Sequence, residues 1–207
     1  MQERNLRVSS PHFAGAPILV SCLSIVLAII TLRLMGRIWW CECGGWSPWV
    51  SDIWSRHCSQ HLVDWYTFSH VSHGLLFYVG LRTLSRWLPA RWRNAFTPGW
   101  WFVAAILLET GWEILENTPL VIERYRAETA SLNYTGDSII NSVGDILACA
   151  AGFAIARCLG CARAVILFVA LELLTLWFIR DNLTLNVVML LSPIEAVRAW
   201  QMPAEMR

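Results

Sequence analysis

The sequence predicts an all-α fold, an integral-membrane helical bundle of about five transmembrane helices with a C-terminal interfacial or re-entrant segment. The 207-residue chain is 56% hydrophobic with a mean hydropathy of +0.47, more apolar than ordinary soluble domains. It carries 13 Trp, a residue that gathers at membrane interfaces. Its apolar residues fall into runs of roughly 18–21, enough to cross about 30 Å of hydrocarbon. The lipid bilayer is therefore the expected partner, and residues 1–207 read as a single membrane domain. The net charge of +1 says nothing about partners, and no basic run long enough for nucleic-acid binding is present. No dinucleotide or P-loop glycine pattern is present.

Helix one is expected over 17–35 (PILVSCLSIVLAIITLRLM), preceded by Arg4 and Arg7. The run exceeds a signal-peptide core, and no small-x-small cleavage motif follows it, so it reads as retained. Residues 36–66 form an outer Cys/Trp-rich loop with Gly44, Gly45 and Pro48. Helix two spans about 68–88, with His70 and His73 at its start and Arg82 and Arg86 at its end. Arg91 and Arg93 follow in a basic connection. Helix three covers 98–116 and leads into a second outer polar loop, 117–136. Helices four and five are expected over 137–157 and 163–180. In the tail, 183–201, the patch LNVVMLL is broken by Pro193 and reads as interfacial, with a sixth, re-entrant segment as the alternative.

Arg4, Arg7, Arg86, Arg91, Arg93, Arg157 and Arg163 mark one side, which the positive-inside rule makes cytoplasmic. Both long loops and the C-terminus then face outward. Arg124, Arg126 and Arg180 fall on that outer side against the trend. The expected location is the cell (inner) membrane, with several passes.

Glu109, Glu113 and Glu116 follow one another at spacings of four and three, on one helical face. A charge at the bilayer centre costs roughly 2.5–3.5 kcal/mol, so the stripe must be protonated, paired or turned to a polar interior. With the stated topology, His70 and His73, Glu113 and Glu116, and Asp137, Asn141 and Asp145 fall at similar depth in the outer half. Arg180, Asp181 and Asn182 end helix five at that level. This coincidence predicts a polar pocket opening outward.

Glu113, Glu116, His70, His73 and Asp145 are the candidate acid–base groups. Two imidazoles plus a carboxylate also suit a divalent metal, so His70 and His73 are candidate ligands, against a reading as interfacial histidines bonded to backbone or water. His57 and His61 are four apart and could join them. Arg124, Arg126, Asp137, Asn141 and Arg180 are candidate substrate contacts, guanidinium suiting phosphate or carboxylate. The bland readings are carboxylates paired with Arg124 or Arg126, Asp137 as a helix cap, and Glu172 paired with Arg180. Of the seven Cys, Cys22, Cys149, Cys158 and Cys161 read as small hydrophobes. The Cys158-x-x-Cys161 pair stands alone, which disfavours a redox or metal role. A Cys43–Cys58 disulfide is open if the outer loop meets an oxidising compartment.

The segments SQHLVDWYTFSHVSHGLLFY, ETGWEILENTPLVIERYR, TASLNYTGDSIINSVGDILAC and IRDNLTLN resemble an uncharacterised bacterial multi-pass inner-membrane family, one of the domain-of-unknown-function groups. More weakly, the layout resembles VanZ-like membrane proteins. That pattern has a helix with a leading His, a helix ending in Glu, an Arg-containing connection, then Asp-x-x-x-Asn. The matching positions are His70 or His73, Glu113 or Glu116, Arg124 or Arg126, and Asp137 with Asn141. This chain departs from it in carrying two His, extra Glu and a longer outer loop. Neither resemblance implies an established activity.

Three functions are consistent with these residues. The first is a membrane-embedded enzyme or binder for an amphiphilic, lipid-linked or envelope-derived substrate. The second is a small proton-coupled transporter using Glu109 and Glu172. The third is a non-catalytic assembly factor whose polar groups hold helices together.

Overall fold

The computed structural model describes residues 12–129 and 133–202. Arg4 and Arg7 lie outside the described residues. The described residues form nine helices and one pair of two-residue strands. Helix α1 is His12–Leu34, and the parallel pair β1 (Trp49–Val50) and β2 (Val63–Asp64) sits in the long loop after it. Then come α2 (Thr67–Ser85), α3 (Ala90–Ala95), α4 (Pro98–Glu116), α5 (Pro119–Glu128), α6 (Ile139–Leu159), α7 (Cys161–Ile179), α8 (Leu183–Leu191) and α9 (Glu195–Gln201).

Helix ends follow local chemistry. Pro98 and Pro119 open α4 and α5, where a missing amide costs no helical hydrogen bond. Ser138 Oγ accepts from the Asn141 amide at 3.2 Å, so Ser138 caps α6 and Asp137 precedes the helix. Between α6 and α7 the chain turns at Gly160, φ 79°, a left-handed conformation that suits a residue without Cβ. Asn182 caps α8 through the Leu185 amide at 2.8 Å.

Three helical segments are long and apolar enough to cross a membrane: Gly15–Leu34, Ile139–Leu159 and Cys161–Ile179. Ile18, Leu23 and Leu27 on α1, and Ile166, Leu173 and Trp177 on α7, are exposed. Such continuous apolar exposure marks a surface that something apolar covers. Helices α2 and α4 have 19 residues each and carry the polar groups inside the bundle. Helix α8, with nine residues, is only about 14 Å long at 1.5 Å per residue, too short to cross.

Helix α2 lies against α6 at backbone contact. A Cβ on Gly74 would strike the Cys149 carbonyl oxygen, and one on Gly152 would strike that of Val71. Leu75, Tyr78, Ala105 and Phe153 are packed beside this crossing, and Ala28, Ile106 and Ile146 form a second cluster joining α1, α4 and α6. At one end Pro17 touches Gly99. At the other, Ser138 N donates to Ser59 O (2.9 Å), Tyr66 Oη to Asp181 (3.2 Å) and Asn117 Nδ2 to Asp137 (2.7 Å).

The five expected helices are present, helix three with the expected ends 98–116 and the others with ends shifted by a few residues. The expected polar loop 117–136 contains α5. The stretch after Pro119 alternates at helical spacing, with Ile122 and Tyr125 buried.

Candidate functional site

The α4 carboxylate stripe faces α2. Glu109, with no exposed surface, accepts from His70 Nδ1 at 2.6 Å and from His73 Nδ1 at 3.0 and 3.2 Å. One turn on, Glu113 Oε1 lies 3.3 Å from His70 Nδ1 but makes no hydrogen bond with either oxygen. The opposite nitrogen of His70, Nε2, is 3.8 Å from Asp145 on α6. A spacing of three on α2 therefore places both imidazoles on one carboxylate, as the sequence suggests for a shared face.

His70, His73 and Asp145 of this cluster form the floor of a cavity of about 390 Å³, whereas Glu109 and Glu113 contact the imidazoles from outside its lining. His70, His73, Glu116, Asp137 and Asp145 line it. Phe77, Leu108, Trp112, Val187 and Leu190 give it an apolar wall. His73 stacks on Phe77 with centroids 5.8 Å apart and meets Trp112 edge-on at 6.3 Å. Tyr134 Oη donates to both Asp137 oxygens at 3.0 Å, and Asn117 holds the same carboxylate from below. Burial pushes Asp137 up to about 6, against the lowering effect of the Asn117 and Tyr134 hydrogen bonds. Burial also raises the Tyr125 and Tyr134 phenols, helped by Glu116 and Asp137 respectively, so both remain neutral donors.

Several expected contacts lie elsewhere. Glu109, joined with Glu172 in the transporter reading, is the partner of both histidines. Glu172 accepts from the Leu183 and Thr184 amides at 3.0 Å each, capping α8 rather than pairing with Arg180. Arg180 sits at φ 55° and donates to the Trp200 carbonyl at 3.3 Å, away from the cavity. Arg124 donates through Nε to the Leu190 carbonyl (3.0 Å) and lies 3.9 Å from Glu128, while Arg126 is exposed. Neither arginine lines the cavity, because the buried face of α5 carries Ile122 and Tyr125 and turns the arginines outward. Asn141 is buried with Nδ2 unbonded but does not line the cavity. His57 and His61 stay in the loop between α1 and α2, beside Cys41 and Cys43. All seven cysteines are free, and Cys58 lies 3.6 Å from Asp64 rather than bonded to Cys43.

The sequence reading missed Tyr66, Tyr125 and Tyr134, which line the cavity. For Tyr125 the signal was present, a spacing of three from Ile122 in a segment opened by Pro119.

The metal-ligating capacity of the floor is concrete. His70, His73 and Glu109 offer ligand atoms within 4.8 Å of one another, as do His70, Glu113 and Glu116. The buried, unbonded oxygens of Glu113 fit a cation, since such groups otherwise find a partner.

The family model described as "Protein of unknown function (DUF2585)" matches residues 32–203. The chain belongs to this family. A UPF0314 protein of Sinorhizobium fredii is 50% identical over 184 residues, covering 88% of this chain and 89% of that protein. One of Paracoccus denitrificans is 50% identical over 187 residues, 90% of this chain and 93% of its own. One of Novosphingobium aromaticivorans is 43% identical over 187 residues, 88% and 91% respectively. No solved structure matches. The part matched by the family model contains every residue of the cavity floor.

Proposed function

We propose that this family member is a multi-pass protein of the cell (inner) membrane that binds and chemically processes an amphiphilic envelope substrate in the outer half of the bilayer. Helices α1, α2, α4, α6 and α7 make the five passes, with the N-terminus inside. Arginine placement supports this orientation: Arg86, Arg91, Arg93, Arg157 and Arg163 gather at one end. The observation that carries the function is the cavity itself, which sets buried imidazole–carboxylate pairs beside an apolar wall. A single-chain lipid fits that division, with its tail along Phe77, Leu108, Val187 and Leu190 and its polar group toward Asp137 and Tyr134.

Within the floor, Glu109 holds both imidazoles by Nδ1–H, which leaves Nε2 as the basic nitrogen of each ring. A carboxylate in that position orients the ring and stabilises the imidazolium formed when Nε2 takes a proton. His73, at the cavity wall, is the acid–base group in this reading, and His70, backed by Asp145, relays the proton. Glu113 and Glu116 complete the acidic side. Arg124, Arg126 and Arg180 have no part in it, their guanidinium groups being engaged or turned outward.

To test this, the purified protein is placed in nanodiscs made with total envelope lipid of Paracoccus denitrificans and the lipid mass spectra are followed. Expected is a lipid species converted or retained by the wild type and untouched by His73→Ala. Identical spectra for wild type and His73→Ala, both folded by circular dichroism, sink the proposal.

A second reading rests on Glu113, whose two buried oxygens lack hydrogen-bond partners beside His70. In it His70, His73 and the nearby glutamates hold a divalent metal, which would supply Lewis acidity to the bound substrate. Elemental analysis of the wild type against a His70→Ala, His73→Ala double variant decides it, since loss of a stoichiometric metal with those residues is required. Glu172, one of the two groups in the carrier reading, accepts the Leu183 and Thr184 amides at the start of α8.

A further inference from the structure

Outside the cavity floor, the outer loop gathers two cysteines and two histidines. Cys41 Sγ lies 3.2 Å from His57 Nδ1, and Cys43 Sγ lies 3.5 Å from His61 Nε2. One ligand atom each from Cys41, Cys43 and His61 falls within 4.8 Å of the others. Zn–S bonds of about 2.3 Å and Zn–N bonds of about 2.0 Å at tetrahedral angles hold sulfur and nitrogen roughly 3.5 Å apart. The Cys41–His57 and Cys43–His61 pairs have about that spacing, and His57, outside the three-residue group, reaches it through Cys41 alone.

Cys41, Cys43 and His61 each also have the kind of supporting contact that a metal site needs. His61 Nδ1 meets the Ser47 carbonyl at 2.6 Å, which fixes the proton on Nδ1 and leaves the Nε2 lone pair facing Cys43. The Cys43 amide donates to Cys41 Sγ and the Gly45 amide to Cys43 Sγ, each at 3.4 Å. Trp40 closes one side, edge-on to His61 with centroids 5.4 Å apart.

We propose that Cys41, Cys43, His57 and His61 bind one zinc ion that clips the outer loop into its folded form. The donor set selects the metal, since two thiolates and two imidazoles disfavour magnesium and calcium and suit zinc. Both thiols release their protons on binding, so two thiolates neutralise the dication. The clip joins two limbs of the loop that hold the start of α6. Ile38 and Trp39 accept from the Ile139 and Ile140 amides at 2.8 and 3.2 Å, and Ser59 accepts from Ser138 at 2.9 Å. Cys58 and Ser59 belong to the cavity lining, so the ion would hold part of the cavity's outer wall.

The test uses the full-length protein in detergent under reductant, stripped with chelator and titrated with cobalt(II) chloride, then zinc chloride. Thiolate ligands give cobalt an intense near-ultraviolet charge-transfer band that histidine and carboxylate ligands cannot give. This separates the loop from any metal at His70 and His73. Expected is such a band, saturating at about one cobalt per chain, bleached by zinc and lost in Cys41→Ser, Cys43→Ser. Absence of the band in the wild type overturns the proposal without recourse to any variant. So does its persistence in the double serine variant, or a disulfide at Cys41 or Cys43 in freshly prepared membranes. The metal content of the His70→Ala, His73→Ala protein bears only on the cavity floor, so the two readings fail separately.

Discussion

At the scale of single residues, Glu109 and Glu113 are neighbours with different work. Glu109 is the acceptor for two imidazoles, so Glu109→Gln leaves buried donors mismatched and is expected to cost about 3–5 kcal/mol in unfolding experiments. Glu113 has no hydrogen bond to lose, so Glu113→Gln should cost about 1 kcal/mol or less while abolishing lipid processing. Equal loss of folded protein in both would remove Glu113 from the site. Asp137 gives a pH signature. Its folded carboxyl titrates near about 6, above its unfolded range, so the folded state holds the extra proton between those values. The stability it contributes is present below the ordinary carboxylate range and lost as pH rises toward about 6. Thermal melts from acid to neutral pH should show this decline in the wild type and a flatter profile in Asp137→Asn.

Among elements, the decisive contact is the crossing of α2 and α6. It brings His70 to Asp145 and requires two glycines where backbone meets backbone. Gly74→Ala or Gly152→Ala puts a methyl group into a carbonyl oxygen that cannot move without its helix, an expected cost of about 3 kcal/mol or more. Gly80, also on α2, has nothing within 4 Å of an added Cβ. Gly80→Ala should therefore be neutral or stabilising by up to about 1 kcal/mol through helix propensity. Melting temperatures of the three variants in one detergent make the comparison. Helix α5 shows how an element redirects side chains: its buried Ile122–Tyr125 face sends Tyr125 into the cavity and the flanking arginines to the rim.

For the molecule as a whole, the proposed orientation puts the loop after α1 outside and the α6–α7 turn inside. Glu42 is exposed in that loop and Cys158 is exposed at the end of α6. In a protein with Cys41, Cys43 and Cys58 changed to Ser, a membrane-impermeant maleimide applied to intact cells should label Glu42→Cys, whereas Cys158 should react only after permeabilisation. The reverse pattern would invert the proposed orientation and place the cavity toward the cytoplasm.

The amino-acid sequence by itself determined the five long helices, the carboxylate stripe and the gathering of His70, His73, Glu113, Asp137 and Asp145 toward one end of them. It could do so because helix periodicity and apolar length are local properties, and position along a helix follows from counting residues. Which helix each stripe faces is not local. Only the tertiary structure decided that Glu109 meets both histidines, that Glu172 caps α8, and that His57 and His61 belong with Cys41 and Cys43. The reason is packing. Gly74 and Gly152 allow α2 and α6 to touch, that contact turns the α2 histidines toward α4, and no spacing along either helix specifies the partner across the gap.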